Sequence, residues 1–109
     1  MHLYQSLLSH AVSSAPPNNV TATDVTAFSL ILRWNPPPSE HQNGIIREYL
    51  INVTEEDSGR ELQIRSLTTD LRVQFLHPHY TYKFTVATWT TAVGPFSDPL
   101  QVVTSTARK

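Results

Sequence analysis

Two short clusters carry side chains that can bind a cation. The segment His77-Pro78-His79 places two imidazoles two residues apart, and Glu55-Glu56-Asp57 places three carboxylates in a row. Imidazole suits transition metals, and carboxylate suits Ca²⁺. The histidine pair has no third ligand at a local spacing, however, and the acidic run lacks the glycine-bounded alternation of oxygen ligands that a calcium loop shows. The sequence therefore predicts solvated loops at both places, with no metal and no cofactor.

Serine, histidine and carboxylate side chains are all present, but their spacing does not support catalysis. The chain has no Gly-x-Ser-x-Gly elbow, no His-Glu-x-x-His motif and only three glycines, so it also lacks a phosphate-binding loop. It contains no cysteine, which excludes thiolate nucleophiles, thiolate metal sites and disulfides together. We expect no catalytic residue in this chain, although a parent protein could carry a catalytic domain, such as a tyrosine phosphatase, elsewhere.

Composition narrows the classes of partner. Only 16% of the 109 residues are charged, the net charge is −1 and no basic cluster occurs, which argues against nucleic acid. Apolar runs such as Leu30-Ile31-Leu32 are far shorter than the roughly 20 residues of a membrane helix, so we expect no direct membrane insertion. The length suits one domain with one core.

The element that organises the chain runs from Leu76 to Val86. After a proline-broken turn, Tyr82, Phe84 and Val86 share one face of a strand, because alternate residues of a strand point the same way. A buried tyrosine needs a partner for its hydroxyl group, and the nearest acceptors lie on the turn just upstream. We predict a tyrosine corner, in which the Tyr82 hydroxyl group hydrogen-bonds back to that turn.

Six further segments alternate in the same way, and Pro36-Pro37-Pro38 and Asn43-Gly44 supply breaks between them. This pattern predicts an all-β, seven-stranded antiparallel Greek-key sandwich of the immunoglobulin-like type. With seven strands, the first and last run in the same direction, so the termini should lie at opposite poles. The expected structural core comprises Trp34, Tyr49, Leu76 and Tyr82.

Taken in order, these markers resemble a fibronectin type III domain from about Pro16 to Thr106. The residues around Asp24-Val25-Thr26 and Trp34-Asn35-Pro36-Pro37 most resemble modules from the long extracellular arrays of receptor-type tyrosine phosphatases and neural adhesion receptors. The residues that carry the resemblance are Pro17, Val20, Leu30-x-Leu32-x-Trp34, Pro37, Ile46-x-x-Tyr49-x-Ile51, Leu76-x-Pro78-x-x-x-Tyr82-x-Phe84-x-Val86, Gly94-Pro95-Phe96-Ser97 and Thr104.

The resemblance implies a non-catalytic structural and protein-interaction module, which acts as spacer and contact surface in the extracellular part of a cell-surface membrane protein. Its partners would be neighbouring domains of the same chain and another extracellular protein, and the isolated domain would be monomeric. Two alternatives stay open: a ligand-binding module of the cytokine-receptor type and an intracellular module of the muscle type. Residues 1–15 are expected to be a disordered leader, linker or expression remnant, 16–106 the domain and 107–109 a tail.

Two kinds of surface residue are candidates for a role in an extracellular module. The sequons Asn19-Val20-Thr21 and Asn52-Val53-Thr54 both place asparagine on the outward face of a strand, as N-glycosylation requires. Among apolar residues, Ile31 and Leu50 are expected to point away from the core, and Trp89 and Phe96 to lie at the end of a strand and in the following loop. We predict that these four form a contact surface.

Overall fold

The computed structural model describes residues 12–106 of the chain. All strand pairs are antiparallel, and the strands form two sheets, ordered β1-β2-β5 and β4-β3-β6-β7. The predicted all-β sandwich is confirmed. The elements are β1 (Asn18–Thr23), β2 (Leu30–Asn35), a short helix α1 (Ser39–Gln42), β3 (Glu48–Glu55), β4 (Glu61–Ser66), β5 (Asp70–Val73), β6 (Thr81–Trp89) and β7 (Leu100–Val103).

The alternation of apolar residues decides which face of each strand enters the core. In β2, Leu30, Leu32 and Trp34 are buried, whereas Arg33 and Asn35 are exposed. The same period places alternate residues of β3 and β6 in the layer between the sheets, opposite β2. Three prolines follow β2 and cannot donate ladder hydrogen bonds, so the strand ends there.

Trp34 is the largest side chain in this layer. It is only 3% exposed, and its ring meets that of Tyr49 edge-on, with 5.4 Å between ring centroids and 65° between planes. Such a contact adds to the free energy gained from burial. The indole Nε1 is buried and has no hydrogen-bond partner within residues 12–106, so this side chain stabilises the fold through its apolar surface.

The described chain enters the sandwich at one pole and leaves it at the other. At what we call the N-terminal pole, a shallow groove brings Pro17 at the start of β1 beside Pro99 at the start of β7. At the opposite, C-terminal pole, the amide of Ser105 donates to the carbonyl oxygen of Thr26, just after β1, at 3.0 Å. The first and last strands therefore run in the same direction, as the number of strands predicts.

The tyrosine corner is present, but its hydrogen bond runs in the direction opposite to the predicted one. The backbone N–H of His77 donates to the Tyr82 hydroxyl oxygen at 2.7 Å. The carbonyl oxygen of His77 instead accepts from the Thr104 hydroxyl group at 2.6 Å. The turn thus gives Tyr82 a donor, and its carbonyl group at His77 is bonded to the residue that follows β7.

Burial also changes the acidity of the two core tyrosines. Burial raises the pKa of the Tyr82 hydroxyl group above its ordinary value, and the hydrogen bond from His77 opposes this shift. Burial alone raises the pKa of Tyr49. A raised pKa means that the folded protein favours the neutral phenol, so each ring contributes stability below pH about 10 that is lost as the pH rises further.

Replacing Trp34 by alanine should lower the free energy of unfolding by about 3–5 kcal/mol, because the substitution removes the largest core ring and leaves a cavity. Urea titration followed by far-UV circular dichroism measures the change. Leu67→Ala is a matched control, since Leu67 is 81% exposed, and should change stability by less than about 0.5 kcal/mol. Equal losses in the two variants would contradict the assignment of Trp34 to the core.

Tyr82→Phe should cost about 1 kcal/mol at neutral pH, since the ring is kept but the backbone N–H of His77 loses its acceptor. The variant should also lose stability less steeply than the wild type above pH about 10, because one tyrosine with a raised pKa is gone. Urea titrations at pH 7 and at several alkaline pH values measure both effects. Identical unfolding curves for the variant and the wild type would show that the hydrogen bond between His77 and Tyr82 does not stabilise the fold.

Candidate interaction surfaces at the two poles

The segment before β1 is bound to the N-terminal pole. Ser13 is 3% exposed, and its hydroxyl oxygen accepts from the Thr88 hydroxyl group at 2.8 Å and donates to the carbonyl oxygen of Gln42 at 3.0 Å. A side chain on Gly94 would start only 3.1 Å from the Ser13 Cβ. A side chain at position 94 would therefore require this segment to shift by a few tenths of an ångström.

These contacts lie within residues 1–15, the segment predicted to be a leader, linker or expression remnant. The leader was predicted to extend to Ala15, because no strand pattern precedes Pro16. Ser13 and Ser14 are instead hydrogen-bonded to the loop between β2 and β3, and the amide of Ser14 donates to the carbonyl oxygen of His41 at 2.8 Å. Residues 1–11 and the predicted tail, 107–109, lie outside the described residues.

The predicted contact residues do not form one surface. Trp89 ends β6, is half-buried and pairs with Val93 in the following loop, where Phe96 is 36% exposed. Ile31 is half-buried on the outer face of β2. This strand belongs to the three-stranded sheet, whereas Trp89 and the loop that carries Phe96 follow from β6 in the four-stranded sheet.

The prediction that Leu50 is exposed is wrong. Leu50 does lie on the outer face of its sheet, between Ala87 on β6 and Arg65 on β4, but only 3% of it is exposed. The Arg65 guanidinium forms an ion pair with the Glu48 carboxylate at 3.3 Å on the same face. A long side chain held in this way covers apolar surface with its stem, which parity alone does not reveal.

Sequence reasoning missed an aromatic pair at the C-terminal pole. Phe28 is 56% exposed and Phe75 is 93% exposed, and both line a groove of about 310 Å³ together with Ser29, Arg72 and Gln74. The amide of Leu76 donates to the carbonyl oxygen of Phe28 at 2.9 Å, which holds the two loops together. The sequence did carry a signal, since of the consecutive residues Phe75 and Leu76 only one can face the core.

A second concavity lies beside this pair, where the sheets differ in width. The sheet containing β4 has four strands and the other has three, so the inward face of β4 has little to pack against. Leu62, which has inward parity, is 62% exposed as a result. The cleft has a volume of about 730 Å³, with Val53, Leu76 and Tyr82 in its apolar lining and Arg60, Glu61 and Arg72 among its charged residues.

The candidate cation-binding residues are engaged in local contacts. The Glu55 carboxylate accepts from the Ser58 hydroxyl group at 2.7 Å, and Glu56 forms an ion pair with Lys83 at 3.2 Å. His77 and His79 are both exposed on the corner turn. Within residues 12–106 no group of three or more histidine, aspartate or glutamate residues is arranged to hold a metal ion.

The two sequons have different surroundings. Asn19 is exposed at an irregularity in edge strand β1, with a left-handed backbone (φ 55°). Asn52 is half-buried in β3, which has a neighbour on each side, and its side-chain oxygen accepts from the Gln63 amide at 3.0 Å. Asn19 is therefore the more accessible acceptor.

No helix in the described part of the chain is long and apolar enough to cross a membrane. Four features of the described surface are candidates for a function: the N-terminal segment with its neighbouring loops, the aromatic pair, the intersheet cleft and the exposed sequon. In the N-terminal segment, the Ser14 hydroxyl group lies 3.0 Å from Nδ1 of His41 at an exposed position.

Comparison with known proteins agrees with this architecture. The chain is similar to human protein sidekick-1 (35% identity over 96 residues, 84% of this chain and 4% of that protein) and to human Roundabout homolog 2 (33% over 96 residues, 83% and 7%). The solution structure of the third fibronectin III domain of human KIAA0343 protein superposes with a TM-score of 0.78 over 92% of this chain and 89% of that one, at 19% identity.

The chain thus spans less than a tenth of the length of these two relatives. The sequence profile of the fibronectin type III domain matches residues 15–103, which include every strand described above. The chain belongs to the fibronectin type III domain family.

Proposed function

We propose that this chain is a spacer and protein-contact module in the extracellular region of a larger cell-surface adhesion receptor. Sidekick-1 and Roundabout homolog 2, two of the proteins to which the chain is similar, are neural adhesion receptors, and the chain covers only a small part of each. The observation that carries the proposal is the passage of the chain from one pole to the other. A module of this kind adds its own length to an array, because the next module begins where this one ends.

Bound segments at both poles support the spacer role. Before β1, Ser13 and Ser14 are hydrogen-bonded to the N-terminal pole, and after β7 the amide and carbonyl groups of Ser105 bond to Thr26 and His79. Chain segments that are fixed at their points of attachment restrict the angles open to neighbouring modules. Such a module sets both reach and orientation.

The proposal is tested in the full-length parent protein by inserting a short epitope between Gly59 and Arg60. This site lies in the exposed turn between β3 and β4, and nothing lies within 4 Å of where a Gly59 side chain would begin. Antibody should label intact cells. Labelling only after permeabilisation would contradict the extracellular assignment and favour the intracellular alternative.

If the module is extracellular, the glycan should be carried by Asn19 rather than by Asn52, because Asn19 is exposed and Asn52 is held by Gln63. The chain, secreted behind a heterologous signal peptide, should lose mass on treatment with an N-glycosidase. The Asn19→Gln variant should show no such loss, whereas Asn52→Gln should behave like the wild type. A mass loss abolished by Asn52→Gln alone would show that the accessibility argument is wrong.

A further inference from the structure

We propose that Phe28 and Phe75 form a docking patch for the module that follows this one in the same polypeptide. The inference rests on the proposed function, since it requires a following module. It goes beyond that function by assigning the contact to one surface and one occupant. The patch is the groove of about 310 Å³ that the two rings line with Ser29, Arg72 and Gln74.

Phe75 is unusual in two independent ways. Its side chain is 93% exposed, and its backbone is left-handed, with φ of 63°. Bulky side chains rarely adopt this conformation, which glycine and asparagine tolerate far better. The position therefore combines backbone strain with an exposed ring, and neither feature stabilises the isolated domain. Strain of this kind concentrates at functional sites.

The path of the chain identifies the occupant. Ser105 donates its amide hydrogen to the carbonyl oxygen of Thr26, two residues before Phe28, and accepts from the amide of His79, four residues after Phe75. The chain leaves the sandwich beside the patch. A module tethered there has a high effective concentration at the patch, far above that of a free partner of equal affinity.

The charge of the patch indicates the chemistry of the docked surface. Arg72 is its one charged residue, it is exposed, and among residues 12–106 it forms no ion pair. The complementary surface should therefore be apolar and carry a carboxylate that can reach the guanidinium group.

Hydrogen–deuterium exchange on the full-length parent tests the contact. The amides of residues 26–29 and 74–76 should exchange about tenfold more slowly than in a protein that ends at Lys109, because a docked module closes the patch. Phe75→Asn suits the left-handed backbone and should abolish this protection. Leu67→Asn is the matched control, since Leu67 is equally apolar and 81% exposed but lies at the N-terminal pole, and it should leave the protection intact.

Exchange in β3 and β6, measured in the same samples, should be equal in the unsubstituted parent and in both variants, which shows that neither variant unfolds the domain. The proposal is overturned if residues 26–29 and 74–76 exchange equally fast with and without the following sequence, if Phe75→Asn retains the protection, or if Leu67→Asn loses it too. A parent with no folded module after Lys109 also overturns it. Protection in a parent that proves to be intracellular would refute the proposed location and support the docking patch.

Discussion

A buried threonine hydroxyl group fixes the point at which the chain leaves the fold. Thr104 is 2% exposed, and its hydroxyl group donates to the carbonyl oxygen of His77 at 2.6 Å and accepts from the amide of Tyr80 at 2.9 Å. The end of β7 is thereby joined to the turn that precedes β6. The amide of His77 donates to the Tyr82 hydroxyl oxygen, so the two backbone groups of this one residue take part in the corner and in the end of the domain.

The unequal width of the two sheets explains where the apolar surface is left open. Three strands cannot cover four, and the uncovered side lies along β4 and β5, the edge strands of the two sheets. Leu62 is exposed there although its position in the alternation is an inward one, and Phe75 lies where the same edge reaches the C-terminal pole. Unpaired strand edges can pair with other chains, so this side of the module is the part of the sandwich that is least protected by its own side chains.

The sequence predicted most of the sandwich because each strand buries one face, and this burial makes apolar residues recur at every second position. It succeeded for β2, β3 and β6, whose inward residues are all buried. It failed where the outcome depends on a residue distant in the chain: Ser13 is buried by Thr88, 75 residues away, and Leu50 lies opposite Arg65 on a face that parity leaves open. The exposed Phe75 was missed because its left-handed backbone breaks the alternation at the corner.

The central claim is that the chain passes through the module from pole to pole. The protein contains no cysteine, so spin labels attached to Asn18→Cys and Thr106→Cys would be its only labels. Strand β6 has nine residues, which at about 3.3 Å each gives a separation of roughly 30 Å between the poles. Double electron–electron resonance should give a single narrow distance distribution near or above this value. Dipolar broadening of the continuous-wave spectrum, which reports separations below about 15 Å, would place both ends at one pole and contradict the account.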